Sequence, residues 1–96
     1  MKKTIVELTR LAEKQLKKLP QYIVISFDQW VETIEIDGYE NMQKIKGYRD
    51  HSLLGIRKGQ RSSSITKAYR VIYEVKEDLK LKIIEVQEVN KHEYKK

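Results

Sequence analysis

The residue best placed to do chemistry is Arg70, in the run Ala68-Tyr69-Arg70-Val71-Ile72-Tyr73. An arginine held on a rigid strand can grip a phosphate through two parallel hydrogen bonds. It can also stabilise charge developing at a phosphoryl transition state. The plainer reading is a cross-strand salt bridge, for example to Glu85 or Glu88. A second group of reactive side chains closes the chain: Asn90-Lys91-His92-Glu93-Tyr94-Lys95-Lys96. His92 has an intrinsic pKa near the working pH and can take or give a proton. Tyr94 can do so only if nearby cations lower its pKa. The plainer reading of this segment is a frayed, charged tail.

A stretch largely of one sign runs up to Arg70. From Lys44 to Arg70 the basic residues are Lys44, Lys46, Arg49, Arg57, Lys58, Arg61, Lys67 and Arg70, and the only acid is Asp50. Such a stretch suits a phosphate-binding surface. A solvated basic loop, or a landing site for an acidic partner, would account for it equally well. Together these side chains suit metal-free RNA cleavage. That reaction needs a base for the ribose 2′-hydroxyl, cations for the phosphorane charge and an acid for the leaving 5′-oxygen. DNA lacks the internal nucleophile. With two histidines, no cysteine and no zinc-ligand spacing, no metal site is expected.

The chain has 96 residues, with 20 Lys and Arg against 14 Asp and Glu, giving a net charge of +6. Hydrophobic residues make up 40% and charged residues 35%, the composition of a folded, heavily charged domain. One domain over residues 1–96 is expected. No apolar stretch reaches the roughly 20 residues that span a membrane, so a cytoplasmic protein is expected, with no membrane partner.

The elements that must position these residues follow from periodicity. Residues 3–8 predict a strand, and Thr9 can cap the helix after it. Leu8, Leu11, Ala12, Leu16 and Leu19 line one face of that helix. Pro20 separates it from a second helix over 21–37, with Ile23, Phe27, Trp30, Val31 and Ile34 as its apolar stripe and Gly38 as its stop. A short third helix is predicted over 39–45. Strands are predicted at 51–57, 65–76 and 79–89, the last two joined as a hairpin at Glu77-Asp78. In the 65–76 strand, Ile65, Tyr69, Val71, Tyr73 and Val75 share one face. Thr66, Ala68, Arg70, Ile72 and Glu74 share the other. The apolar residues of 79–89 fall on both faces, which a central strand or a bulge explains. The order β-α-α-(α)-β-β-β predicts an α+β fold. An N-terminal strand and helical hairpin would pack on one face of a small twisted antiparallel sheet.

A resemblance emerges from the order of these segments. After the helical hairpin come Gly47-Tyr48-Arg49-Asp50-His51-Ser52-Leu53-Leu54-Gly55 and Arg57-Lys58-Gly59-Gln60-Arg61-Ser62. Lys67-Ala68-Tyr69-Arg70-Val71-Ile72-Tyr73 and Glu88-Val89-Asn90-Lys91-His92-Glu93-Tyr94 follow. Over nearly its whole length the chain resembles the RelE/ParE toxin superfamily, and within it the HigB-like RelE/StbE group. The strongest pieces are the Tyr-Arg-Val-Ile-Tyr strand and the Lys-His-Glu-Tyr ending.

The resemblance implies a RelE-like fold with a concave sheet face as active site. It implies the toxin of a type II toxin–antitoxin pair, a metal-independent endoribonuclease that cleaves messenger RNA on the ribosome and inhibits translation. Arg70 matches the strand arginine that such proteins use on the scissile phosphate. Arg61 lies where the family places further phosphate contacts. Lys91, His92 and Tyr94 match the C-terminal acid–base group, with Tyr94 or His92 as base and the other as acid or orienter. No cofactor is implied. The implied partners are the ribosome, messenger RNA and a cognate antitoxin from an adjacent gene, with a helix-turn-helix domain. Two alternatives stand beside this reading: a ParE-like inhibitor of DNA gyrase, and a non-catalytic nucleic-acid- or partner-binding remnant of a toxin.

Overall fold

The computed structural model of the protein describes residues 2–91. Strand β1 (Lys3–Leu8) leads into helix α1 (Arg10–Lys17). Thr9 sits at the N-cap, extended at φ −70° and ψ 164°, and its hydroxyl accepts the Ala12 N–H at 3.2 Å. Pro20 opens helix α2 (Gln21–Glu32), where its missing N–H costs nothing. The second helix was expected to run to residue 37. Its last stretch, Thr33–Asp37, instead widens into a π-helical turn. Gly38, at φ +101°, ends it as expected, and α3 (Tyr39–Lys44) follows.

The sheet has five strands in the order β1-β5-β4-β3-β2, with β2 at His51–Ser52, β3 at Arg61–Ser64, β4 at Tyr69–Glu77 and β5 at Leu81–Lys91. The α+β architecture with helices on one face is as expected, but strand β3 over Arg61–Ser64 is additional to the four strands expected, and one strand direction differs. β1 runs parallel to β5, while every other pair is antiparallel. The whole helical layer lies between these two strands in sequence, and that length of chain permits a parallel pairing where a hairpin cannot. The expected strand over 51–57 shrinks to His51–Ser52. Gly55, at φ +70°, turns the chain into a 3-10 turn (Gly55–Arg57). The expected start of β4 at residue 65 moves to Tyr69, because the Thr66 hydroxyl accepts the N–H groups of Ala68 and Tyr69 and folds 65–68 into a turn.

The core joins Ala12, Phe27, Trp30, Ile34, Tyr39 and Met42 of the helical layer to Val71, Tyr73, Ile84, Val86 and Val89 of the sheet. The Trp30 ring packs on Phe27 and Tyr73 at centroid distances of 5.9 and 5.5 Å. Its indole N–H donates to the Ser63 hydroxyl at 2.9 Å, so the polar tip is buried without being orphaned.

β5 is central, flanked by β1 and β4, and it carries a bulge. Tyr73 pairs with Val86 and Ile72 with Glu88, so Gln87 is the extra residue. Val86 and Val89 are three residues apart and would face opposite ways on a regular strand. With Gln87 inserted, both reach the core, while Glu88 and Asn90 share the other face. Beyond Val86 strand β1 has ended, and backbone groups of β5 are met from the start of the first helix. Thr9 Oγ1 donates to the Gln87 carbonyl at 3.2 Å, and Gln15 Oε1 accepts the Val89 N–H at 2.7 Å.

Gln15→Ala removes the acceptor of a half-buried backbone N–H, so it should lower stability by about 1–2 kcal/mol. Urea denaturation checks the magnitude. Amide exchange at Val89 should quicken more than at the neighbouring β5 positions.

Candidate nucleic-acid interface

The register of β3, β4 and β5 sorts side chains onto two faces. Ser63, Val71 and Val89 form one row, and Arg61, Tyr73 and Val86 another. Both rows lie under the helices, where Val71, Tyr73, Val86 and Val89 are core residues. Ser62, Ile72 and Glu88 form a row on the opposite face, as do Ser64, Arg70 and Asn90. His51 opposes Ser62 and so shares that second, open face.

Arg70 therefore points from the open face, as its alternation with the aromatic residues predicts. It lines a cleft of about 350 Å³ with Arg57, Glu88, Asn90 and Lys91. Arg57 reaches the cleft from the β2–β3 connection, which is closed by the Leu53 N–H donating to the Gln60 carbonyl at 2.9 Å. Its Nη1 donates to Gln60 Oε1 and to Glu88 Oε2, each at 3.0 Å. Gln60 is itself bonded to Gln87 on the bulge. Ile72, fully buried, lies between Ser62 and Glu88 in register. Lys91 sits at the exposed end of β5, its ammonium 5.8 Å from the Tyr69 ring centroid.

The plainer reading of Arg70, a cross-strand salt bridge to Glu85 or Glu88, is not met by a direct contact among the described residues; the link to Glu88 runs through Asn90. Arg70 Nε donates to Asn90 Oδ1 at 3.4 Å, Asn90 Nδ2 donates to Glu88 Oε1 at 2.9 Å, and Glu88 closes on Arg57. The hydrogen bond from Arg57 holds the Glu88 carboxyl below its ordinary pKa. Asn90 and Glu88 are thus members of the cleft that sequence reasoning did not assign to it. Their spacing of two residues was the available signal, but the bulge beside them hides which face they share.

Arg61, expected to contact phosphate, pairs with Tyr73 and lies on the helix-packed face, away from the cleft of Arg70. Its Nε and Nη2 donate to Asp50 Oδ1 at 2.8 and 2.6 Å, and the Asp50 side chain is fully buried. Gln43 Nε2 donates to the same oxygen at 3.2 Å, and the Tyr73 hydroxyl bonds to Asp50 Oδ2. Burial, and then the bond to Asp50, push the Tyr73 hydroxyl well above its ordinary pKa. The lone acid of the basic stretch is therefore a structural anchor, and it claims Arg61.

The remaining basic residues are exposed. Arg49, in the left-handed conformation at φ 46°, and Lys67 line a second cleft of about 380 Å³ with Gly47, Ser64 and Thr66. Among the described residues no carboxylate lines it. Ser64 opposes Arg70 in register. Lys58 lies on the β2–β3 connection and Lys46 in the 3-10 turn after α3, and neither lines the two clefts. His92 and Tyr94 lie outside the described residues. No cluster of metal-ligating side chains occurs among the described residues. No helix there is long and apolar enough to cross a membrane.

Comparison with solved structures finds the same fold repeatedly. The chain superimposes on the RelE–RelB complex of Pyrococcus horikoshii with a TM-score of 0.69 and 24% identity, covering 93% of this chain and 94% of that one. The E. coli DinJ–YafQ toxin–antitoxin complex matches with a TM-score of 0.68 and 18% identity, over 94% of this chain and 93% of that one. A YoeB/ParE toxin from Agrobacterium tumefaciens matches with a TM-score of 0.67 and 16% identity, over 93% and 99%. No curated protein matches by sequence. The family model for the ParE toxin of the type II toxin–antitoxin system parDE matches residues 6–93. The chain belongs to this toxin family, within the RelE/ParE superfamily.

Proposed function

We propose that the open face binds messenger RNA and cleaves it without a metal, on the ribosome, as the toxic activity of the pair. The observation that carries this reading is the convergence of Arg57, Arg70 and Lys91 on one cleft. Lys91 is followed directly in sequence by His92-Glu93-Tyr94. Arg70 holds the scissile phosphate and offsets the charge of the phosphorane. His92 and Tyr94 divide the base and acid steps at the 2′-hydroxyl and the 5′-oxygen. Lys91 adds positive charge beside them. Arg49 and Lys67, with Lys46 and Lys58 further out, take neighbouring phosphates and lend a salt-dependent share of affinity. The partner is an antitoxin from an adjacent gene, with an acidic segment that covers this basic face. The lysine-histidine-glutamate-tyrosine ending favours the HigB-like group.

A second reading is inhibition of DNA gyrase, and the match to the ParE toxin model favours it. The two separate cleanly on inducible expression in a bacterial host, with 5′ ends of messenger RNA mapped. Cleavage predicts growth arrest with new ends inside translated regions, abolished in Arg70→Ala. Arrest with DNA-damage signalling and no new ends moves gyrase to first place. No arrest at all indicates a non-catalytic binding module.

The two arginines of β3 and β4 should behave oppositely. Arg70→Ala should leave stability within about 0.5 kcal/mol and lower the cleavage rate by roughly 10²–10³. Arg61→Ala breaks the pair with buried Asp50 and should cost about 2–3 kcal/mol, partial exposure of Arg61 trimming the loss. Thermal melts paired with single-turnover cleavage check both.

A further inference from the structure

The cleft built to attract a phosphate already contains an anion. Glu88 accepts from Arg57 Nη1 through Oε2 at 3.0 Å and from Asn90 Nδ2 through Oε1 at 2.9 Å. Asn90 in turn accepts from Arg70 Nε at 3.4 Å. The carboxylate thus offers Arg57 one anionic oxygen, as a phosphate would, while Asn90 holds the other. It is ionised, because Arg57 holds its pKa down, and a carboxylate so stabilised is a weak base at neutral pH. Both its oxygens are already engaged. These features suit an internal counter-ion better than a proton acceptor.

We propose that Glu88 is a resident anion of the cleft: it holds Arg57 in place when the site is empty and yields it to a phosphate group on binding. This rests on the phosphate-binding reading of the site. Neither partner is sealed from water, with side-chain exposures of 37% for Arg57 and 21% for Glu88, so the exchange carries a modest cost. An entering phosphate meets like charge until Arg57 turns from the carboxylate to it. The cleft therefore disfavours a lone phosphate. It favours a ligand that carries further phosphates for cations free of a carboxylate neighbour, such as Arg49 and Lys67 in their acid-free cleft. Glu88 is in this sense a selectivity and positioning residue, and Asn90 passes its influence to Arg70.

The test uses inorganic phosphate as probe, with Glu88→Gln and Glu88→Ala beside the wild-type chain. Titrations are followed by NMR at the Arg57 and Arg70 guanidinium signals. Both variants should bind phosphate roughly fivefold to tenfold more tightly than wild type. The preference for a non-cleavable oligonucleotide over phosphate should narrow by the same factor. A merely structural Glu88 would give weaker binding in both variants, and that result overturns the proposal. Unchanged affinity with cleavage lost marks Glu88 as the base and also overturns it, as does absence of phosphate binding in all three chains. Tighter phosphate binding in a chain that cleaves no RNA upholds the counter-ion role while removing the nuclease reading.

Discussion

The geometry of the open face depends on one extra residue in the central strand. Gln87 resets the alternation of β5 between Val86 and Glu88. Burial drives this arrangement: Val86 and Val89 both belong under Trp30 and Phe27, and a regular strand would expose one of them. A fully buried valine contributes roughly 1.5–3 kcal/mol, enough to outweigh the disturbed ladder. Backbone groups of β5 at and beyond the bulge are taken up by Thr9 and Gln15, so the first helix helps hold this stretch. The consequence on the other face is chemical. Glu88 and Asn90 are brought into line with Ile72 and Arg70, and the two arginines become linked through them.

Arg61 and Arg70 illustrate how one alternation gives two chemically similar residues opposite fates. Both lie on strands, and both sit in the same basic stretch. The odd register difference between the rows places Arg61 with Tyr73 and Arg70 with Ser64 and Asn90. Under the helices, a cation survives only with a carboxylate and further donors around it. Asp50 supplies the carboxylate, and Gln43 and Tyr73 complete its coordination, with Tyr39 bonded to Tyr73 at 3.0 Å. On the open face, Arg70 needs no such enclosure. Its single weak bond to Asn90 leaves most of its donors facing the cleft.

The distribution of acids follows the same logic. The basic stretch from Lys44 to Arg70 contains one acid, and folding buries that acid beneath the sheet. Viewed from the open face, the stretch is therefore more uniformly positive than its composition states. Glu88 is brought to this face from β5, a different part of the chain, and it neutralises one arginine of the cleft. The surface potential is thus set by pairings between distant segments, and net charge alone cannot express it.

Sequence alone was enough for the order of first strand, helical hairpin and β4–β5 hairpin, for the core face of β4 and for the outward direction of Arg70, but not for strand β3. Each of these rests on local periodicity, a cap or a proline, and such signals act over a few residues. The match to the toxin family over residues 6–93 agrees with that order. Tertiary structure alone decided the parallel pairing of β1 with β5, the shortening of β2 and the start of β4 at Tyr69. It also decided the burial of Asp50 with Arg61 and the assembly of Arg57, Glu88, Asn90 and Arg70. These depend on register between strands far apart in sequence. A single inserted residue exchanges the two faces of everything beyond it, and only the packed core determines where that insertion falls.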